Sequence, residues 1–376
     1  MEHVFLERKL DKTNAIAIIG AGISGLAAAH ILVDAGHKVT LFEKDTGVGG
    51  RATTRQRSGF IYDHGAQYIK GGSPISTTWI TQRFHVPDLI DINKPIWTFD
   101  AEGHIQEGDP IQNADPRWNY GSGLVTLAKC MAEGLDIRLE TYIAHMERTT
   151  TGWNLFGVSG HPLEAGGGKL PHSTPLHSRP YEQLLITIPT AQAVAIVENS
   201  QMPGDLQKHI LANLRKARYN PLISVMLGYK PTPRERPYYA LVNTDKAHPI
   251  SWLAWEHEKA TERVPEHCGL LIAQMAPQYS LDHWQTPAEE LVSDVAKLVA
   301  ALIDEPLHEA IFSDMHSWPY ALPAEKAEAY ALNTLTFPYG LAFCGDAFVG
   351  GRVHLALEHG IEVAQQLSKV LREDSQ

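Results

Sequence analysis

The stretch that most constrains the fold lies near the N-terminus, where residues 15–43 read AIAIIGAGISGLAAAHILVDAGHKVTLFE. Ala15–Ile19 is a short apolar run, of the kind that forms a parallel strand buried on both faces. Gly20, Gly22 and Gly25 follow as G-x-G-x-x-G. From Leu26 to Ala35 the apolar positions Leu26, Ala29 and Val33 recur at spacings of three and four, which predicts a helix, and Gly36 ends it. Lys38–Phe42 predicts a second strand, closed by Glu43.

Each part has a physical task. Gly20 permits a tight turn out of the strand, Gly22 lets the backbone approach a pyrophosphate, and Gly25 lets the helix pack closely on the sheet. The helix N-terminus offers free N–H groups and a positive dipole end to phosphates, and Ile23 and Ser24, within the glycine turn, are cofactor-binding candidates with it. Glu43, with Lys44 beside it, lies where an acid accepts hydrogen bonds from a ribose. An unrelated glycine-rich turn would not need that acid, so the stretch predicts dinucleotide binding.

The chain of 376 residues is bounded by composition: length suggests two or three domains, and 44% hydrophobic with 20% charged residues is ordinary for a globular protein. A net charge of -11 argues against a nucleic-acid partner held by phosphate contacts. The 19 histidines are scattered, with no H-E-x-x-H arrangement. Cys130, Cys268 and Cys344 form no C-x-x-C pair, which fits a reducing compartment, with the cytoplasm as the expectation. Residues 1–14 lack an apolar signal core, and no run approaches the roughly 18 apolar residues of a membrane span.

A second glycine loop, Gly47, Gly49, Gly50 and Arg51, follows the second strand, with an Arg able to neutralise phosphate. In Tyr62–Tyr68, the small residues Gly65 and Ala66 permit close approach to a flat ring, and Gln67 and Tyr68 can supply polar edges. Prolines at 74, 87, 95 and 110 then break the chain into an excursion with strands at Ile96–Phe99 and His104–Gln106. A helix is predicted from Gly121 to Met131, with strands at 136–140, 144–148 and 153–158. The Gly-, Pro- and His-rich segment 160–180 reads as a long exposed loop. A buried strand at Leu184–Ile188 and a helix at Thr190–Glu198 come next. A second excursion, about 200–322, holds strands at Leu222–Tyr229, Ile250–Trp255, Leu270–Met275 and Ile311–Trp318 and an amphipathic helix at Pro287–Ile303. The chain ends with a strand running into Gly345-Asp346, a turn at Gly350-Gly351-Arg352-Val353 and a helix from about Leu355. Asp346 is placed for a sugar or ribityl hydroxyl. The N–H groups of Arg352 and Val353 lie at a helix start, where negative charge is stabilised.

Together these pieces resemble the FAD-dependent amine oxidase superfamily, through the opening fingerprint, the Gly49–Arg51 loop and the late Gly345-Asp346. Within it the sequence is most similar to bacterial renalase-like oxidoreductases, through Gly65-Ala66-Gln67-Tyr68, Arg117-Trp118, Gly152–Leu155, Trp318 with Tyr320, and Cys344–Asp346 with Gly351–Val353. The resemblance implies an α/β Rossmann-like, discontinuous FAD-binding domain (1–70, 121–199 and 323–376) with an inserted α+β substrate domain (71–120 and 200–322). It also implies non-covalent FAD and a small substrate, possibly of NAD(P) type, that gives a hydride to flavin, with O₂ as final acceptor and H₂O₂ as product. In renalases the substrates are isomeric dihydronicotinamides. Gln274 stands where bacterial relatives carry His, and His354-Leu355-Ala356 follows Val353 where they continue with Glu.

The candidates for the flavin face are Gln67, Tyr68, Trp318 and Tyr320. Gln274, Trp252, Trp255 and Tyr279 are weaker pocket candidates, for which core packing is at least as good a reading. No Lys or acid–base residue stands out in the sequence. Two alternatives stay open: another amine oxidase or desaturase acting on a different metabolite, and an FAD-binding module without turnover. The oligomeric state is open.

Overall fold

The computed structural model describes residues 15–71, 73–159 and 174–373. The opening stretch forms the strand Ala15–Ile19, the helix Ile23–Asp34 and the strand Lys38–Phe42. They start a five-stranded sheet ordered Asp136–Arg138, Lys38–Phe42, Ala15–Ile19, Gln183–Ile186, Leu341–Phe343, and every pairing in it is parallel. Side chains alternate between its faces. Ile16 and Ile18 join one core with Leu26, Leu32, Leu357 and Leu367, while Ala17 and Ile19 join another with Trp153, Ile196 and Ile210. Burial on both faces explains why these strands read as unbroken apolar runs.

The long helix Val353–Glu373 lies against the helix Ile23–Asp34. Their closeness depends on Gly360, where a Cβ would come within 2.2 Å of the Ser24 carbonyl oxygen. The opposite face is covered by a sheet that contains the antiparallel pair Thr141–Arg148 and Trp153–Ser159, and by two helices, Thr190–Glu198 and Gly204–Leu214. The sequence reading places residues from 200 onward in the second excursion. Instead, Leu206, Ile210 and Leu214 share the core of the parallel sheet.

The second layer is a seven-stranded sheet ordered Phe312–Glu325, Arg218–Tyr229, Gly269–Met275, Ile250–Trp255, Ala240–Asn243, Ile96–Phe99, Ile105–Gln106. Its pairings are antiparallel except that of Ala240–Asn243 with Ile96–Phe99. One face buries Leu291, Val295 and Val299 of the helix Ala288–Leu302. The other packs on Phe60, Tyr62 and Tyr68.

The strand at Phe312 runs on past the predicted end at Trp318 to Glu325, through Pro319 and Pro323. Proline is tolerated because this is an edge strand, where a missing N–H need not break the ladder. Two register shifts in its pairing with Arg218–Tyr229 accommodate the irregularity. Its C-terminal part carries Tyr320 and Leu322 to the first layer, beside Arg51 and Gly351. The predicted loop 160–180 falls mostly outside the described residues, which resume with the short strand Thr174–Pro175. Among the described residues no helix is long and apolar enough to cross a membrane.

Candidate functional site

A cavity of about 2110 Å³ runs between the two layers. Single drug-sized ligands occupy roughly 300–1,000 Å³, so there is room for a cofactor together with a substrate. Apart from Gly25, Trp255 and Tyr279, the candidate site residues from the sequence line it, from Gly20, Gly22, Ile23, Ser24, Glu43 and Lys44 through Gly50 and Arg51 to Gly65–Tyr68, Trp252, Gln274, Trp318, Tyr320, Gly345, Asp346 and Gly351–Val353. Trp255 is fully buried in the core of the seven-stranded sheet, and the Tyr279 hydroxyl donates to Asp294 at 2.6 Å.

The glycines of the first turn differ in their surroundings. Gly20 has φ +103°, and a Cβ there would press on Ile188 and Thr187 at 2.8 Å. At Gly25 a Cβ would overlap the Gly20 carbonyl oxygen at 2.1 Å, so this glycine lets the helix sit close to the strand. At Gly22 a Cβ would meet nothing within 4 Å. This backbone borders the cavity with no side chain in the way. Thr187, which the sequence reading missed, braces the turn by donating from Oγ1 towards the carbonyls of Ile19 (3.0 Å) and Gly20 (3.1 Å).

Glu43 accepts from the Ala21 N–H at 2.8 Å and from the Asp45 N–H at 3.0 Å, and burial pushes its carboxyl upward in pKa. The Lys44 ammonium pairs with Asp45 at 2.8 Å.

Arg51 and Asp346 were read as contacting separate groups of a ligand, phosphate and sugar. In the structure they bind each other, with a bidentate bridge at 2.7 and 2.8 Å. Arg51 also donates to the carbonyls of Tyr320 (2.9 Å) and Ala321 (3.2 Å), and Tyr219 donates to Asp346 at 3.3 Å. Burial works against the Arg51 charge, but Asp346 raises its pKa on balance. Arg352 is exposed, lines the cavity and makes no ion pair among the described residues. The Gly345 N–H donates to Nδ1 of His359, a buried residue with no signal in the sequence.

The segment Asp63–Tyr68 forms one wall. The Ala66 N–H donates to the Arg51 carbonyl at 3.0 Å, and a Cβ on Gly65 would strike that oxygen at 2.1 Å. Gln274 donates to the Gly65 carbonyl at 2.7 Å, and the Trp318 indole to the His64 carbonyl at 2.9 Å. Tyr68 stacks on Trp252 with ring centroids 6.1 Å apart. The Gln67 amide turns inward, its nitrogen donating to the Asp63 carbonyl at 2.6 Å and its oxygen accepting from Lys259 at 3.2 Å. It is not free to point at a ligand. His64 and His316 also line the cavity, 4.9 Å apart at their centroids and both beside Trp318. Burial, then Arg55, lowers His64 to about 3 and His316 to about 4, so both are neutral at pH 7.

The strands of the seven-stranded sheet reach the cavity with Ile96, Thr98, Leu222, Val242, Trp252, Gln274 and residues 316–322. None of these is Asp, Glu, Lys or Arg. The face that this sheet turns to the cavity is therefore free of charged side chains, with Trp252, His316, Trp318 and Tyr320 as its aromatic members. The remaining lining offers glycine backbone, Glu43, the Arg51–Asp346 pair and further charged residues that include Arg55, Lys70, Asp109 and Arg117.

Sequence comparison gives the family. The family described as "Flavin containing amine oxidoreductase" matches residues 105–368, and "NAD(P)-binding Rossmann-like domain" matches residues 18–80. The chain belongs to the flavin-containing amine oxidoreductase family. Its fold combines a Rossmann-like α/β domain with an inserted second domain.

Solved structures superimpose over nearly the whole chain at low identity. A reduced UDP-galactopyranose mutase superimposes with a TM-score of 0.71 at 13% identity, covering 95% of this chain and 96% of that one. Cyclohexylamine oxidase from Brevibacterium oxydans IH-35A gives 0.70 at 14% identity, covering 95% and 99%. Putrescine oxidase bound to putrescine gives 0.66 at 15%, covering 94% and 98%. At such identities the likeness concerns the fold. A 4,4'-diapophytoene desaturase of Staphylococcus aureus (strain bovine RF122 / ET3-1) is 54% identical, but over only 54 residues, 14% of this chain and 11% of that protein.

The cavity residues fit FAD. The side-chain-free backbone at Gly22, the acid at Glu43 and the ungated wall at Gly65–Ala66 lie along one continuous space.

Proposed function

We propose that the protein binds FAD non-covalently along the glycine-lined side of the cavity and oxidises a small reduced substrate whose reacting ring, flat and uncharged, is held against the seven-stranded sheet. The observation that carries this reading is the absence of charged side chains among the residues that the seven-stranded sheet brings to the cavity beside Gly65 and Ala66. Gly20, Gly22, Ile23, Ser24, Glu43, Lys44, Gly345 and Asp346 would hold the nucleotide and ribityl parts, with Arg352 and Val353 at the helix start. When bound, FAD supplies the hydride acceptor, with O₂ as the final acceptor and H₂O₂ as product. The chain's own task is to orient the substrate and exclude water. Tyr68, Trp252 and Trp318 supply flat contact area for this. Gln274, whose nitrogen is committed to Gly65, presents its amide oxygen as an acceptor. Within this class we favour an isomeric dihydro-NAD(P), as in renalases. An uncharged ring of that kind suits this sheet face better than a protonated amine, which such a surface would desolvate without a carboxylate partner.

We take residues 1–70, 121–199 and 323–376 as the FAD-binding part, and extend it to include the helix Gly204–Leu214. A second reading, a desaturase acting on an apolar metabolite, is favoured by the same uncharged sheet face and by the short desaturase match. A substrate panel under air separates the two. Peroxide formed from isomeric dihydro-NAD(P), but not from the normal isomer or from amines, supports the first reading. Peroxide from none of these, with desaturation of a polyene precursor, replaces it with the second.

A further inference from the structure

Residues 256–263, EHEKATER, carry five charged side chains in eight positions. They follow the strand Ile250–Trp255 and form two short 3-10 turns, Glu256–Glu258 and Thr261–Arg263. The side chains of Glu256, Lys259 and Arg263 are nevertheless fully buried, together with Asp63. Two cations and two anions make the cluster formally neutral, which is the condition for burying it.

Asp63 is its centre. Its Oδ2 accepts from Arg263 (2.9 Å), Lys259 (3.2 Å) and Asn119 (2.9 Å), and its Oδ1 from Thr54 (2.6 Å) and the Leu124 N–H (2.9 Å). Glu256 takes the Asp63 N–H at 3.1 Å and pairs with Arg263, and Lys259 Nζ lies 2.8 Å from its other oxygen. Burial alone would raise the Asp63 carboxyl, but Arg263 and Lys259 hold it far below the usual carboxylate range.

The cluster also reaches the cavity wall, where Asn119 donates to the Gln67 carbonyl at 2.8 Å. Lys259 donates to the Gln67 amide oxygen at 3.2 Å. The Gln67 nitrogen in turn donates to the carbonyls of Asp63 (2.6 Å) and Gly65 (3.2 Å), and the Gly65 carbonyl also takes the Gln274 bond at 2.7 Å. The Lys259 ammonium is thus one side chain away from the peptide that borders the cavity. Lys259 and Gln274 both come from the inserted layer, so that layer sets the Gly65–Tyr68 wall from two sides.

We propose that Lys259 is a positioning residue, whose ammonium orients Gln67 and so fixes the Gly65–Tyr68 wall against bound FAD. This rests on the reading that FAD lies along Gly65 and Ala66. Lys259→Met alone leaves an unbalanced negative charge in the core and is expected to unfold readily. The double variant Lys259→Met/Glu256→Gln restores neutrality and keeps an amide oxygen for the Asp63 N–H, while the bond to Gln67 is lost. Its melting temperature is expected to lie close to that of the wild type. Its visible flavin spectrum should shift, and its FAD dissociation constant, from equilibrium dialysis, should rise about tenfold, the effect of one hydrogen bond of ordinary strength. A merely structural role would move the melting temperature and leave the spectrum in place. A folded double variant with wild-type spectrum and FAD affinity overturns the proposal. A wild-type protein that takes up no FAD overturns the underlying reading, and the proposal with it.

Discussion

Gly360 offers the sharpest test of how the cavity is built. It sits in the long C-terminal helix where that helix crosses the helix Ile23–Asp34, and an added Cβ would lie 2.2 Å from the Ser24 carbonyl oxygen and 3.0 Å from its carbon. Ordinary contact begins near 3.4 Å, so Gly360→Ala forces the helices apart by an ångström or so. The obstructing atoms are backbone, which cannot rotate away. Overpacking of this kind costs about 1–3 kcal/mol, here at the upper end. Ala is better than Gly in a helix by about 1 kcal/mol, leaving a net loss of roughly 2 kcal/mol. Because Ser24 lines the cavity, FAD affinity should fall as well. Gly204→Ala is the control. It opens the helix Gly204–Leu214, and a Cβ there meets nothing within 4 Å. There the substitution should stabilise by about 0.4–1 kcal/mol, by restricting the unfolded chain. Thermal melts and FAD titrations of both variants check this. Equal melting temperatures, or shifts of the same sign, refute the packing argument.

Two further outcomes follow from the site. Asp346→Ala removes the bidentate partner of Arg51 and a candidate ribityl contact, and should weaken FAD binding by about 1–3 kcal/mol; unchanged affinity by dialysis removes Asp346 from the site. His64 and His316 titrate near 6.5 when unfolded but at about 3 and 4 in the fold. Between pH 6.5 and 4 the unfolded chain therefore binds protons that the folded chain does not, and stability falls as pH drops through that window. His64→Leu removes one such site and should flatten the decline in melting temperature there; an unaltered slope contradicts the assignment.

What the sequence made legible was local. Strand, helix and strand at 15–43 carry their own periodicity, turn and end signals, and Ile96–Phe99, Ile250–Trp255 and Thr190–Glu198 likewise fall where their patterns place them. What stayed hidden depends on partners far along the chain. Nothing near Lys259 announces that Asp63 will bury it, 196 residues away, nor does Arg51 reveal a partner 295 residues away at Asp346. The polar hairpin Thr54–Arg57 and Phe60–Asp63 lacks the alternation that marks a strand, because Asp314 of the other layer meets Arg55 and Arg57. Pro319 and Pro323 concealed an edge strand for the reason that edges admit proline.

The central claim, that the uncharged face of the seven-stranded sheet presents the neutral ring of a reduced substrate to FAD, is tested most directly without oxygen. Purified yellow protein is mixed anaerobically with isomeric dihydro-NAD(P), and the flavin absorbance in the blue is followed. Rapid bleaching by the isomers, none by the normal form, and recovery of colour with peroxide when air is admitted is the predicted result. A flavin that stays oxidised with every isomer, yet is reduced by dithionite, contradicts it.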